Sequence, residues 1–181
     1  MPFVYIAVAI AAYVTDRLSK NWAAGALREV HGGSLPLFEG VFHFTYAENR
    51  GAAFSMLSGQ TWFLIAVSSL ICLLGAYFLF FHKRKLPVLP SLCIAMALGG
   101  ALGNLYDRIV LGYVIDMLDF CLINFAVFNA ADSFVCVGVI LLGVWMVFFE
   151  EKQMPKMPYR WGALKAATAE EDKAENEESH E

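Results

Sequence analysis

Two aspartates sit where an isolated charge is costly. Asp116 lies in the apolar run Tyr113-Val114-Ile115-Asp116-Met117-Leu118, and Asp132 lies in Asn129-Ala130-Ala131-Asp132-Ser133, which opens another apolar stretch. Ionisable groups at membrane depth cost about 2.5–3.5 kcal/mol each on insertion scales and mark function by default. Two carboxylates brought from separate segments to about 3 Å cannot both ionise cheaply, so one keeps a proton near neutral pH. The ionised member can take a proton from water while the neutral one donates to a scissile carbonyl, and the pair titrates as a unit. The structural alternative for Asp132 and Ser133 is a helix N-cap, where both residue types are common. Asp107 and Asp119 are rival carboxylates; Asp107, beside Arg108, is expected near solvent.

Polar residues recur at helical spacing nearby. Gly100, Asn104 and Arg108 stand four apart and so share one stripe, offering amide and guanidinium donors. Gly99 and Gly103 form a small-xxx-small face that admits a second helix. Asp16 and Lys20, also four apart, can pair and anchor the first apolar stretch in a supporting role. Other chemistries fare worse. Ser133 has no evident histidine partner among His31, His43, His82 and His180, and the four cysteines form no CxxC pair. The chain has no P-loop, dinucleotide fingerprint or HExxH motif. Neither metal nor cofactor is expected.

The elements that must position these groups are membrane helices. Apolar residues make up 59% of the 181-residue chain and charged residues 17%, beyond what one soluble core of this size hides. Four stretches, residues 3–22, 62–81, 89–105 and 133–149, are long enough to cross hydrocarbon or nearly so, predicting a four-span α-helical protein. The first lacks the basic n-region of a cleaved signal peptide. Basic loops at His82-Lys83-Arg84-Lys85 and after span four place both termini in the cytoplasm. Residues 106–132 are apolar enough to lie in the interface. In the other outer loop, Val41-Phe42-His43-Phe44-Thr45-Tyr46 has strand composition. Seven of the 17 acids crowd residues 170–181, so residues 1–165 form the membrane unit and residues 166–181 an acidic, disordered tail. No nucleic-acid partner is indicated.

Four blocks together resemble lipoprotein signal peptidase, also called signal peptidase II. They are Asp16-Arg17-Leu18-Ser19-Lys20, Asn49-Arg50-Gly51-Ala52-Ala53-Phe54-Ser55, Gly99 through Asp116, and Phe128-Asn129-Ala130-Ala131-Asp132-Ser133. The resemblance covers roughly residues 1–150. It implies a monomeric aspartyl endopeptidase of the bacterial cytoplasmic membrane, with Asp116 and Asp132 as catalytic dyad near the outer face. Its partners would be membrane lipid and a prolipoprotein substrate, cut before a cysteine that bears a diacylglyceryl group. Asn49, Gly100, Asn104, Arg108 and Asn129 match pocket positions, and Asp16 and Lys20 match the polar pair of the first helix. It further implies a β-cradle over about Leu35–Phe54 and a mobile loop with a half-helix after Asp107. The segment between Asp116 and Asn129 is shorter and more apolar than the family pattern, and the tail has no counterpart in it. A small transporter or proton relay is the rival, although four spans are few and no inverted repeat is present.

Overall fold

Where water is absent the backbone must satisfy its own hydrogen bonds, so long apolar runs become helices. The computed structural model describes residues 2–30, 32–52, 56–81 and 86–153. Four long helices form: α1 (Pro2–Trp22), α2 (Thr61–Ala76), α3 (Val88–Val110) and α4 (Ala130–Gln153). α1 runs on into a π-helical turn over Ala23–Leu27, and α2 into another over Tyr77–Phe81. Among the described residues, three helical stretches are long and apolar enough to cross a membrane: Thr61–Phe81, Val88–Val110 and Ala130–Phe149. α1 is not among them, so the expected count of four is met by three. Its Asp16, Arg17 and Lys20 are what dilute its apolar character.

Small residues bring the helices together. A Cβ on Gly99 would collide with the Ala9 backbone of α1, and one on Gly100 would stand 2.5 Å from the Ala131 carbonyl oxygen of α4. On α4 itself, Gly138 rests against α3, where an added Cβ would stand 2.7 Å from the Cys93 carbonyl oxygen. Consecutive glycines of α3 therefore seat two different helices. Backbone atoms cannot rotate away, so Gly99→Ala is expected to destabilise the protein by about 1–3 kcal/mol. A clear drop in melting temperature in detergent would bear this out; an unchanged one would contradict the close α1–α3 contact.

A three-stranded antiparallel sheet, ordered β1-β2-β3, caps one end of the bundle. β1 is Ser34–Phe38, β2 Phe42–Asn49 and β3 Val114–Asp119. Ala23 and Leu27, just past α1, pack with Ile115 and Met117 of β3 into the small core beneath it.

Four expectations need correction. α3 continues to Val110 instead of stopping at Leu105, because Asn104, Asp107 and Arg108 find polar partners and need not end the helix. α4 begins at Ala130 rather than Ser133, one turn earlier, because Asn129 caps it. Residues 106–132 are more than an interfacial segment: Gly112, at φ 81°, turns the chain from α3 into strand β3, followed by a short 3-10 turn at Cys121–Ile123. The cradle expected from residues 35–54 alone therefore borrows its third strand from much later in the chain. The basic loop His82–Lys85, residues 53–55 and the tail lie outside the described residues.

Candidate active site

β2 hydrogen-bonds to β3 with Ala47 opposite Asp116 and Asn49 opposite Val114. That register sets Asn49 close to the buried Asp116 carboxylate, and its Nδ2 donates to Asp116 Oδ2 at 3.0 Å. Asp116 Oδ1 accepts from Asn129 Nδ2 at 2.6 Å. Burial pushes the Asp116 carboxyl up to about 7, and the negative charge of Asp132 adds to the rise, against the lowering influence of Asn129, Asn49 and Lys20.

Asp132 comes from the first turn of α4. Its backbone N–H donates to Asn129 Oδ1 at 2.9 Å, while its own Oδ2 accepts from the Asn129 N–H at 3.2 Å. This is a reciprocal capping box, with Asn129 as the cap and Asp132 three residues on. The cap role weighed for Asp132 thus falls mainly to Asn129. Asp132 Oδ1 remains for Asn104 Nδ2, which donates to it at 2.7 Å. Both carboxylates line one cavity of about 660 Å³, together with Asn49, Asn104, Arg108, Phe128, Ser133 and Cys136. Asn129 joins the two, since it contacts Asp116 with its side chain and Asp132 through the cap.

The other anticipated residues divide by role. Gly100 makes room for the N-terminus of α4, and Arg108 Nη2 donates to the Gly51 carbonyl oxygen at 3.0 Å, at the wall of the cavity. Asp16 and Lys20 form the expected ion pair at 2.9 Å, both fully buried. Asp16 also reaches α4, where its Oδ1 accepts the Ala131 N–H at 3.0 Å. A carboxylate suits that position because the first N–H groups of a helix have no partner within it.

Asp107 was misread. It is fully buried rather than near solvent, and it binds Arg17, Lys20 and the Ile115 N–H at once. The signal was present in the spacing: Gly99, Gly103 and Asp107 are four apart and share the α3 face that receives α1. Gly103 itself yields space to the Asp16 carboxylate, which an added Cβ would strike. Asp119, the other rival, accepts from Thr45 Oγ1 at 2.8 Å and does not line the cavity.

Apolar helices packed through glycine and a sheet-capped cavity holding two carboxylates define a helical membrane protein with a paired-carboxylate site. The family model described as "Signal peptidase (SPase) II" matches residues 8–148. The chain belongs to the signal peptidase II family. It is 43% identical over 148 residues to a lipoprotein signal peptidase of Clostridioides difficile (strain 630), covering 82% of this chain and 97% of that one. A lipoprotein signal peptidase of Caldanaerobacter subterraneus subsp. tengcongensis is 45% identical over 147 residues, covering 79% and 97%. Among solved structures, a bacterial membrane enzyme determined by the in meso method at 2.3 Å resolution superposes with a TM-score of 0.74. It is 26% identical, with 87% of this chain and 94% of that one covered.

Proposed function

We propose that Asp116 and Asp132 are the reacting pair of a membrane protease that removes signal peptides from lipoproteins. Family membership supports the protease activity and its lipoprotein substrates. One observation carries the choice of residues: two carboxylates from different elements line a single cavity and are tied together by Asn129. In this reading one carboxyl keeps a proton and hydrogen-bonds the scissile carbonyl oxygen. The other takes a proton from water as the water oxygen attacks the carbonyl carbon. Collapse of the tetrahedral intermediate expels the amine, which leaves with a proton supplied by the pair. Asn49, Asn104 and Asn129 hold the carboxylates still while charge moves. Asp116, with its raised titration, is the natural holder of the shared proton.

The scissile bond precedes a diacylglyceryl-bearing cysteine. Acyl chains buried in the bilayer, at about 0.8 kcal/mol per CH₂, would bring that bond to the membrane surface. The cavity beneath the sheet lies at the bundle end where it would arrive. α1 serves as a fourth span: at 21 residues it is about 31 Å long, enough to cross the hydrocarbon. Its charged Asp16 and Lys20 point inward, while Phe3, Ile10 and Leu18 point outward. With the sheet outside and both termini in the cytoplasm, the enzyme works as a monomer on the outer face, and residues 166–181 form an appended acidic tail. Transport fits less well, because the carboxylates sit on the sheet and in the first turn of α4 rather than at mid-bilayer.

The test incubates purified protein in detergent with a diacylglyceryl-modified prolipoprotein, with and without a chelator. Release of the signal peptide in both conditions is expected, and no cleavage by folded protein would refute the proposal. The same substrate without the diacylglyceryl group is expected to be cut at least about tenfold more slowly, given the partition energy of its chains. Equal rates would remove the lipid from the recognition argument.

A further inference from the structure

A lysine ammonium has three donors and no acceptor. The buried Lys20 Nζ pairs with Asp16 Oδ2 at 2.9 Å and Asp107 Oδ2 at 3.0 Å, and it donates a hydrogen bond to Asn104 Oδ1 at 2.8 Å. The third contact leaves the Asn104 amide one orientation. Its Oδ1 accepts from both Lys20 and Asn129 Nδ2, so its Nδ2 must face Asp132 Oδ1. Reversed, the amide would set NH₂ against an ammonium and an oxygen against a carboxylate. Thus α1, none of whose described residues lines the cavity, governs how Asp132 is held. Asp107 completes the arrangement. It grips Lys20, and it accepts the N–H of Ile115 at 3.3 Å, one residue before Asp116.

We propose that Lys20 and Asp107 are positioning residues for the carboxylate pair. Lys20 does this by fixing the Asn104 amide that donates to Asp132, and Asp107 by holding both Lys20 and the strand that carries Asp116. The inference rests on the proposed reaction of Asp116 and Asp132. It differs from a purely structural role because Asp16, Arg17, Lys20 and Asp107 carry charges that sum to zero. Removing one leaves a buried charge uncompensated, and that alone destabilises the fold. A charge-neutral double variant separates the two effects.

Lys20→Met and the double variant Lys20→Met/Asp16→Asn are compared with wild type for melting in detergent and for kcat, KM and the pH profile of signal-peptide release. The double variant removes both members of one ion pair, its asparagine keeps an oxygen for the Ala131 N–H, and Asp107 keeps Arg17 as its partner. Asp107→Asn, which keeps an oxygen for the Ile115 N–H, is measured beside them and should show the same loss of kcat; wild-type kcat there would remove Asp107 from the inference. The charged groups around the pair are Lys20 and Asp16 from α1, Glu48 from β2, and Asp107 and Arg108 from α3. The double variant is expected to melt higher than Lys20→Met. Both variants should keep KM within about twofold while kcat falls about 100-fold, the scale of a misplaced reacting group. The acid limb should move to higher pH in both, because the ionised pair has lost a fixed donor. If the double variant regains wild-type kcat and pH profile, or if Lys20→Met never loses them, the inference is overturned. Full cleavage by Asp116→Asn or Asp132→Asn in the same assay gives a different pattern, overturning the dyad reading and this inference with it.

Discussion

Asp116→Asn and Asp132→Asn are each expected to reduce signal-peptide release by about 10⁴-fold, the upper range for losing a positioned acid or base. An amide can neither take a proton from water nor hand one to the departing amine, so the loss should fall on kcat rather than KM. Each asparagine keeps one of the two accepting oxygens, so the folds should survive with one neighbouring donor left unpaired at each site. Asp116 adds a second signature. Its folded pKa, about 7, lies above the ordinary carboxylate value of 3.8. A group raised in this way contributes stability that is fully present below its unfolded pKa and is lost as pH rises through the folded value. Wild-type melting temperature should therefore fall between about pH 4 and pH 7–8, and Asp116→Asn should flatten that dependence. Full activity in either variant, or an equally steep pH dependence of melting in Asp116→Asn, would contradict the assignment.

The helices and the two carboxylates that line the cavity were legible in the sequence for the same reason: apolar runs long enough to span hydrocarbon make an interior Asp, Asn or Lys conspicuous. What the sequence obscured was geometry that depends on distant pairing. β3 is a largely apolar hexapeptide holding two aspartates, and only its partner β2, more than sixty residues earlier, makes it a strand. Read by itself, it resembles an interfacial segment. Asp107 was hidden by its neighbour: Arg108 suggested a local solvated pair, whereas residues 107 and 108 stand about 100° apart on a helix and face different partners. Asn129, expected among the pocket residues, does not line the cavity and caps α4 instead, a role weighed for Asp132. The cap residue and the residue three positions on are both polar in such a box, and sequence alone does not say which begins the helix.

Asn129→Asp should separate the two tasks of that residue. Aspartate caps a helix about as well as asparagine, so the bond from the Asp132 N–H and the start of α4 should be kept. The amide donor is what disappears. Asn129 Nδ2 serves Asp116 Oδ1 at 2.6 Å and Asn104 Oδ1 at 3.2 Å, and an ionised aspartate would offer neither bond. It would also bring a third carboxylate to a buried pair. Loss of a donor and gain of a negative charge both disfavour ionised Asp116, so its titration should rise above about 7 and the acid limb of activity should move to higher pH. At pH 7 kcat should fall by about 10²–10³-fold, the usual scale for removing one preorganised donor. Asn129→Ala instead loses the cap as well, and should lower stability by about 1 kcal/mol through that bond alone. Measuring kcat against pH beside melting in detergent distinguishes these outcomes. If Asn129→Asp retains wild-type kcat and an unmoved acid limb, Asn129 only caps α4, and the link it makes between the two carboxylates has no part in the reaction.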